Sequence, residues 1–254
     1  MVSMPFQHKV ALITGADSGI GKLAAGEFAR QGAAVILSDV NESTGAEVAE
    51  TIRRGGGKSL FVRCDVSQAA QVEAMVEAGM REFGQLDFCL NNAGISGGTM
   101  KTVTHLYEEE TWDNVLDINA KGVWLCMKYE LPHLVRQKSG VIVNVASVAG
   151  LTAVPGNIAY AASKHAVVGM TKTAALEYVR HNIRINAVCP VFTDTPMVQD
   201  SIMTDPEYAE KLIKSIPMRR LATPLEIVNV ILFLCSEQAS FMTGKAIPID
   251  GGML

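Results

Sequence analysis

Short runs of almost wholly apolar residues recur along the chain and mark its predicted strands. They lie at Lys9–Thr14, Ala33–Ser38, Leu60–Cys64, Leu86–Leu90, Val141–Val145, Arg184–Val188 and Ala246–Ile249. A strand that is apolar at successive positions has to be covered on both faces, whereas a half-exposed strand alternates apolar and polar residues. The runs therefore predict a parallel sheet with a layer of helices on either side.

Stretches with the helical spacing of apolar residues separate these strands. Examples are Ile20–Gln31, Gln68–Phe83, Glu108–Arg136, Ala159–His181 and Pro224–Ser236. Strand and helix alternate over the whole length, which is typical of right-handed β-α-β crossovers. Because no linker, repeat or low-complexity segment divides the chain, the sequence predicts a doubly wound α/β fold in a single domain, residues 1–254.

The segment from Phe192 to Arg220 departs from this alternation. It contains Pro196, Pro206 and Pro217 around two short helix-like pieces and has no strand. Ligands of such folds bind beyond the carboxyl ends of the strands, and long loops in compact domains usually have a function. We expect a substrate lid at about 192–220; the alternative is a surface excursion with no part in binding.

Charge and composition exclude several classes of protein. The 254 residues carry 22 Lys+Arg against 26 Asp+Glu, a net charge of −4, and no basic run exceeds a pair. The phosphate-neutralising surface of a nucleic-acid binder is therefore not expected. The five histidines form no HExxH motif and no cluster with cysteines, so no metal site is expected either.

The cysteines and the apolar stretches indicate a cytoplasmic setting. The five cysteines form no CxxC motif, and most lie in or beside apolar runs, as buried free thiols do. The opening MVSMPFQHK is too polar for a signal peptide. The longest apolar stretch, Ile227–Cys235, falls far short of the roughly 20 residues that span a bilayer. We expect a soluble, cytoplasmic protein without a membrane partner.

A glycine-rich turn joins the first predicted strand to the helix that follows. Glycine permits turn conformations and a close approach of the backbone to a pyrophosphate, and the helix start offers unpaired N–H groups. Glycine turns also occur for purely structural reasons, but this one has a strand before it and a helix after it. The predicted cofactor-binding residues here are Gly15, Asp17, Ser18, Gly19, Ile20 and Gly21.

An acidic residue ends the second predicted strand. Asp39 lies 18 residues after Gly21, where a carboxylate can accept hydrogen bonds from the adenosine ribose. The same carboxylate would repel the 2′-phosphate of NADP, and no Arg or Lys in the turn offsets it. NAD is therefore the predicted cofactor, although Asp39 is also compatible with a plain loop start.

Two later strand ends extend the predicted cofactor site. The third strand is followed by Asp65 and Val66, and Asp65 is placed to reach the adenine. The fourth strand is followed by Asn92, Ala93 and Gly94, whose small side chains would leave the cofactor path open. Each segment alone is also compatible with a simple turn.

Taken in order, the motifs of the chain strongly resemble the short, single-domain branch of the short-chain dehydrogenase/reductase family. The resemblance runs from about residue 9 to residue 252. It is carried by TGADSGIG at 14–21, NNAG at 91–94, Asn119 in DINAKG, Ser147 in VNVAS, Tyr160 and Lys164 in YAASK, the CP…T segment at 189–195 and the closing MTGKAIPIDGG. It implies a seven-stranded parallel Rossmann sheet, NAD(P)-linked oxidation or reduction, and a homotetramer.

The CP…T segment contains a departure from the family pattern. Val191 follows Pro190 where the family commonly has glycine, and Thr193 stands where Ile or Val is frequent. Because of this departure, the resemblance does not predict the backbone conformation near the nicotinamide amide. Thr195 matches the threonine that the resemblance assigns to that amide.

Tyr160 and Lys164 form the predicted acid/base pair. Residues four apart share one face of a helix, and an ammonium within about 4–6 Å lowers the pKa of a phenol that ordinarily titrates near 10. Without further support, an amphipathic helix would explain the pair equally well. The resemblance adds Ser147, which would orient the substrate oxygen, and Asn119, which would bond backbone and hold a water linking Lys164 to solvent.

The residues expected to face the substrate are mostly apolar. They are Ser96–Thr99, Val148–Leu151, Pro155–Asn157, Met197, Met203 and Met218. The sequence thus predicts an NAD-dependent alcohol dehydrogenase or ketone reductase acting on a small, neutral, mostly apolar secondary alcohol or ketone. The alternatives are a catalytically silent NAD-binding regulatory protein and an NADP-linked biosynthetic ketoreductase. A serine hydrolase is set aside because Ser147 lies in no GxSxG turn.

Two long helical segments indicate self-association. Glu108–Arg136 and Ala159–Arg180 carry apolar or small residues on more than one side, Trp124 and Val167 among them. A helix that is apolar all round has to be covered on both sides, and pairing with a second copy of the chain is the simplest way. We expect a homotetramer built as a dimer of dimers.

Overall fold

Seven parallel strands form one sheet in the computed structural model, which describes residues 4–98, 101–201 and 203–254. The strands are β1 (Val10–Thr14), β2 (Ala34–Asp39), β3 (Ser59–Arg63), β4 (Phe88–Asn91), β5 (Gly140–Val145), β6 (Ile183–Pro190) and β7 (Ala246–Ile249). Their order across the sheet is β3-β2-β1-β4-β5-β6-β7. The prediction of a seven-stranded parallel sheet is confirmed, and each strand lies within a few residues of its predicted bounds.

Helices cover both faces of the sheet. They are α1 (Gly19–Arg30), α2 (Glu42–Arg54), α3 (Ala69–Phe83), α4 (Glu109–Leu116), α5 (Gly122–Gln137), α6 (Ile158–Tyr178), α7 (Pro196–Ser201), α8 (Pro206–Ser215) and α9 (Pro224–Cys235). The predicted helix 108–136 is interrupted, because a π-helical turn at Asp117–Lys121 separates α4 from α5. No helix in the described part of the chain combines the length and the apolar character needed to cross a membrane.

Two separate apolar cores explain why the strands are apolar throughout. In β1, Ile13 packs into the core beneath α1, α2 and α9, and its neighbour Leu12 packs into the core beneath α3, α5 and α6. Val143 and Ile142 divide in the same way in β5. Successive side chains of a strand point to opposite faces, so both must be apolar where both faces are covered.

The strand order reverses direction between β1 and β4, at the centre of the sheet. At such a point the loops after the two strands turn to opposite sides and leave a crevice at the carboxyl edge, where ligands of doubly wound folds bind. The glycine turn follows β1 and the segment 92–94 follows β4, so the fold brings both to this crevice.

The segment 192–220 lies between β6 and α9 and contains α7 and α8. Its two ends are joined: Asp194 N donates to Ala222 O at 2.8 Å, and Ala222 N donates to Phe192 O at 3.0 Å. The segment therefore leaves the sheet edge and returns to it at one place; its role as a lid stays a prediction.

Candidate active site

A cavity of about 520 Å³ occupies the carboxyl edge of the sheet. Every predicted cofactor-binding and catalytic residue lines it except Gly21 and Asn119. The predicted residues along its wall are Gly15, Asp17, Ser18, Gly19, Ile20, Asp39, Asp65, Val66, Asn92, Ala93, Gly94, Ser147, Tyr160, Lys164, Pro190, Val191, Thr193 and Thr195. The fold thus brings together residues from the carboxyl ends of six strands, β1 to β6, and from helix α6.

The glycine turn leaves backbone rather than side chains exposed to the cavity. Gly15 has φ +64°, and a Cβ there would lie 2.9 Å from the Cα of Ala93. Gly21 lies behind the turn, where a Cβ would lie only 2.0 Å from the carbonyl oxygen of Gly15. Gly21 therefore allows α1 to pack against the turn, and the turn itself forms a cradle that fits a pyrophosphate.

The end of β4 is hydrogen-bonded to the end of β1. Asn92 Nδ2 donates to the carbonyl oxygens of Thr14 (3.0 Å) and Gly15 (2.9 Å). In return, the Thr14 hydroxyl accepts from the backbone N–H groups of Asn92 and Ala93, both at 3.1 Å. Thr14 was not among the predicted site residues; its signal in the sequence is a buried threonine directly before the glycine turn.

Two carboxylates stand at the end of the cavity formed by the glycine turn and β2. Asp39 accepts from the backbone N–H groups of Asp17 and Asn41, each at 3.2 Å. Burial raises the pKa of Asp39, and these N–H groups oppose the shift. Asp17 accepts from the Thr44 hydroxyl at 3.0 Å. Among the described lining residues Lys164 is the sole cation; Arg63, the β3 partner of Asp39 in the sheet register, does not line the cavity.

Tyr160 and Lys164 share one face of α6, as their spacing predicts. The ammonium nitrogen lies 5.5 Å from the centre of the phenol ring and donates to the carbonyl oxygen of Val145 at 2.9 Å. Lys164 is 3% exposed, and burial lowers its pKa to about 8.

The predicted fall in the pKa of Tyr160 is not what the structure shows. Burial raises this pKa, and a hydrogen bond with Ser147 opposes the rise. The prediction counted the nearby ammonium and omitted the loss of water around both groups, which disfavours the charged form of each. Tyr160 is therefore a neutral phenol at neutral pH in this structure.

Ser147 caps a short 3-10 turn beyond β5. Its oxygen accepts from Ala149 N at 3.1 Å, and its hydroxyl lies 3.3 Å from the carbonyl oxygen of Pro190. Together with the bond to Tyr160, these contacts fix the hydroxyl at the cavity wall. A hydroxyl held beside a phenol can orient an oxygen atom that binds to both.

Asn119 lies in the π-helical turn and is fully buried away from the cavity. Its Nδ2 donates to Ile95 O (2.9 Å) and to Ser163 Oγ (3.2 Å), and its Oδ1 accepts from Ile95 N (2.8 Å). The side chain therefore ties the loop after β4 to α6, the helix of Tyr160 and Lys164. Its predicted bonding to backbone agrees with these contacts, and the predicted water path stays a prediction.

Val191 adopts a conformation that does not need glycine. It has no positive φ, and its N–H donates to Ile249 O at 3.0 Å, which continues the pairing of β6 with β7. Its side chain packs with Val148 and Ile216 in a small cluster. Thr193, two residues further on, donates its hydroxyl to Val191 O at 2.9 Å. The departure from the family pattern thus adds apolar contact between β6 and the lid and leaves the backbone regular.

Part of the predicted substrate wall is confirmed in position and part is not. Ser96, Val148, Ala149, Pro155, Asn157 and Met197 line the cavity. Met203 lies instead in an open depression on the outer side of the lid, and Met218 is 62% exposed and packs beside Gly251. Thr99 lies outside the described residues, and Gly97, Gly98, Gly150, Leu151 and Gly156 do not line the cavity.

Several further apolar side chains complete the substrate wall. Phe192, Tyr208 and Leu212 lie within the predicted lid, whereas Val154 and Met253 were not predicted. Tyr208 and Leu212 are four residues apart on α8, so a helical spacing of apolar residues was their signal. Met253 reaches the cavity because the chain turns back at Gly251, which has φ +61°.

Comparison with known proteins agrees with this geometry. The profile of the family described as enoyl-(acyl carrier protein) reductase matches residues 15–254. A cyclohexanol dehydrogenase of Acinetobacter sp. is 41% identical over 99% of this chain and 97% of its own. A 3-oxoacyl-(acyl-carrier-protein) reductase of Thermotoga maritima is 40% identical over 99% and 100%. The structure of an NAD⁺-bound xylitol dehydrogenase, 35% identical, superposes with a TM-score of 0.91 over 97% of this chain and 99% of its own.

Proposed function

The chain belongs to the short-chain dehydrogenase/reductase family of oxidoreductases, and we propose that it transfers a hydride between NAD(H) and a small, mostly apolar secondary alcohol or ketone. Members of this family bind a nicotinamide cofactor, whose ring, when bound, accepts or supplies the hydride. The observation that carries the proposal is the meeting of Ser147, Tyr160 and Lys164 on one wall of the cavity.

Proton transfer is the part of the reaction that falls to Tyr160. When an alcohol carbon loses a hydride, its hydroxyl must lose a proton, and the reverse holds for a ketone. The neutral phenol is ready to protonate a ketone oxygen, whereas alcohol oxidation needs it deprotonated; oxidation should therefore become faster as pH rises. Ser147 donates to the same oxygen, and Lys164, whose pKa is about 8, holds the backbone of β5 beside them.

The charges at the cavity wall support NAD over NADP and a neutral substrate. The Asp39 carboxylate would face a 2′-phosphate, and no Arg lines the described wall of the cavity to offset the repulsion. The substrate wall, with Val154, Phe192, Leu212 and Met253, contains no Arg or Lys among its described residues to bind a carboxylate or phosphate. A wall of this kind favours a compact apolar alcohol or ketone.

Two rival functions are tested by the same assay. Similarity to a 3-oxoacyl-(acyl-carrier-protein) reductase favours an NADP-linked biosynthetic ketoreductase, which Asp39 opposes. A silent NAD-binding regulator would have no need for Asn119, Ser147, Tyr160 and Lys164 together. A panel of secondary alcohols and ketones assayed with both cofactors separates all three.

Tyr160→Phe tests the proposed mechanism. Removal of the phenol hydroxyl should reduce kcat by about 100- to 10,000-fold, the range of a general acid/base, and leave NADH binding nearly unchanged. Tyr178→Phe, on the same helix but outside the cavity, is the matched control and should keep full activity. Equal turnover by Tyr160→Phe and wild type would remove Tyr160 from the mechanism.

We also propose a homotetramer in the cytoplasm. Large apolar side chains are exposed on the helices expected to pair, with Trp124 47% and Leu176 78% exposed. The exposed Phe233 of α9 and Phe241 extend such surface to a second region. All five cysteines are free and buried, which suits a reducing compartment. Light scattering from dilute protein tests the assembly.

A further inference from the structure

A carboxylic acid lies in the core beside the active site and takes no part in the proposed reaction. Glu130, on α5, is 0% exposed. Its Oε2 accepts from Asn91 Nδ2 at 3.2 Å, and its Oε1 is buried without a partner. The Oδ1 of the same Asn91 is likewise buried and unpartnered. Two orphaned oxygens therefore belong to one hydrogen-bonded pair of side chains.

The neighbouring N–H and O–H donors of Asn91, Asn144 and Thr171 already bond to other atoms. Asn91 Nδ2 uses its second hydrogen on Asn144 Oδ1 (3.0 Å), and Asn144 Nδ2 donates to Thr171 Oγ1 (2.9 Å). The Thr171 hydroxyl donates to Val167 O at 2.8 Å. No N–H or O–H of this chain of bonds remains to satisfy Asn91 Oδ1.

No positive charge compensates Glu130 in the part of the chain that the structure describes. The titratable groups that interact with it are the thiol of Cys89 on β4, which donates a hydrogen bond to the Glu130 carboxyl, and the thiol of Cys126 on α5. The side chains of β5 and α6 that join this cluster by hydrogen bonds are Asn144 and Thr171. Burial raises the pKa of both thiols well above the ordinary value, so both are neutral. An ionised carboxylate in such surroundings is strongly disfavoured.

We infer that Glu130 is a positioning residue held as the neutral acid, whose Oε1–H donates to Asn91 Oδ1 and closes a cyclic acid–amide pair. A single proton then satisfies both orphaned oxygens, because a carboxylic acid and a primary amide offer complementary donors and acceptors. The direction of the pKa shift is consistent with this state: burial raises the pKa of Glu130 to about 7.

The position of the pair gives it a role at the active site. Asn91 and Asn144 are direct partners in the β4–β5 register. The residue after Asn91 is Asn92, which bonds the glycine turn, and the residue after Asn144 is Val145, whose carbonyl accepts from Lys164. The acid–amide pair thus fixes two adjacent strand ends from beneath. This consequence for catalysis rests on the proposed function; the protonation state does not.

Stability as a function of pH tests the protonation state. Because the pKa of Glu130 rises from 4.5 to about 7 on folding, its contribution is complete below about 4.5 and is lost as pH rises to about 7. Glu130→Gln keeps the pairing without ionising. Relative to wild type, its folding equilibrium constant should gain about 150-fold between pH 4.5 and pH 8. The exposed Glu82→Gln is the control and should follow wild type; parallel profiles for Glu130→Gln and wild type would overturn the inference.

Infrared spectroscopy of the wild type keeps the test independent of any variant. With ¹³C-labelled glutamate, a carbonyl stretch of a protonated acid should be visible at pH 6, shift in D₂O and fade through about pH 7. Its absence at pH 6 would show an ionised Glu130 and overturn the proposal, even if Glu130→Gln does not fold.

Cofactor binding tests the positioning role. Between pH 6 and pH 8 the Kd for NADH, followed by fluorescence, should weaken a few-fold more in wild type than in Glu130→Gln, because Lys164 titrates in both proteins. Identical pH dependence of Kd in both proteins would remove the positioning role. If the stability and infrared results hold but no alcohol or ketone is turned over, the proposed function fails and the state of Glu130 stands.

Discussion

The two walls of the cavity are held in place by different kinds of interaction. On the sheet side, Asn119, Ser147 and Lys164 are at most 8% exposed, and each is hydrogen-bonded to backbone. On the lid side, α7 contributes no buried residue and α8 contributes only Ala209. The polar contacts of α8 are exposed ion pairs such as Lys211–Glu207.

Because of this difference, the sheet side can hold the reacting groups while the lid side controls access to the cavity. Buried, fully paired polar groups are costly to displace, so the sheet side presents the reacting groups in one arrangement. Exposed ion pairs add little stability, and a segment with few buried contacts opens at low free-energy cost. A fixed wall of reacting groups opposite an adjustable lid is the arrangement that the proposed function needs, because the substrate has to enter and leave.

The largest expected effect on stability and cofactor binding comes from substituting Gly21 on the sheet side. In Gly21→Ala the new Cβ would overlap the carbonyl oxygen of Gly15, so the turn or α1 has to move. Overpacking of this kind costs about 1–3 kcal/mol, and we expect a lower Tm together with loss of cofactor binding. Gly26→Ala is the matched control on the same helix, because a Cβ there meets nothing within 4 Å. It should stabilise the protein by about 0.5–1 kcal/mol. Tight NADH binding by Gly21→Ala would show that the turn tolerates movement.

A smaller effect is expected from Asp39, which we propose to set cofactor choice and which lies away from Tyr160 and Lys164. Asp39→Asn removes the charge and keeps an oxygen that can accept from Asp17 N. The ratio of kcat/KM for NADP to that for NAD should rise about 10- to 100-fold, since a like-charge contact with the 2′-phosphate is removed. Asp113→Asn, outside the cavity, is the control. An unchanged ratio would clear Asp39 of this role.

The sheet side is also the part that the sequence predicts well. Strands covered on both faces have a continuous apolar pattern, as Leu12 and Ile13 show, and the strand ends then follow from the pattern. The pairing of Tyr160 with Lys164 follows from helical geometry alone, so it depends only on residues close together in the sequence.

What the sequence does not predict depends on contacts between distant residues. The sequence does not predict the π-helical turn that places Asn119 behind the cavity wall, or the bonds by which Asn119 ties the loop after β4 to α6. Met203 and Met218 belong to the lid, whose helices are oriented by tertiary contacts that no periodicity records. The direction of the Tyr160 pKa shift depends on burial, which a spacing of four residues cannot supply.

The smallest expected effect comes from the lid, where one ion pair joins it to the opposite loop. Lys101 Nζ lies 2.6 Å from Asp205 Oδ2 and 5.1 Å from the centre of the Tyr208 ring, and Asp205 caps α8 by accepting from Tyr208 N. Both charged side chains are about half exposed, so the pair is screened by salt.

Lys101→Met should therefore change KM by no more than about fivefold and leave kcat nearly as it is. The difference in KM between wild type and variant should shrink as salt is added, because salt weakens the ion pair only in the wild type. Lys211→Met removes an ion pair confined to α8 and should show neither effect. A fall in kcat as large as that of a catalytic variant would mean that the lid helps to position the reacting groups, and the division between the two walls would then be wrong.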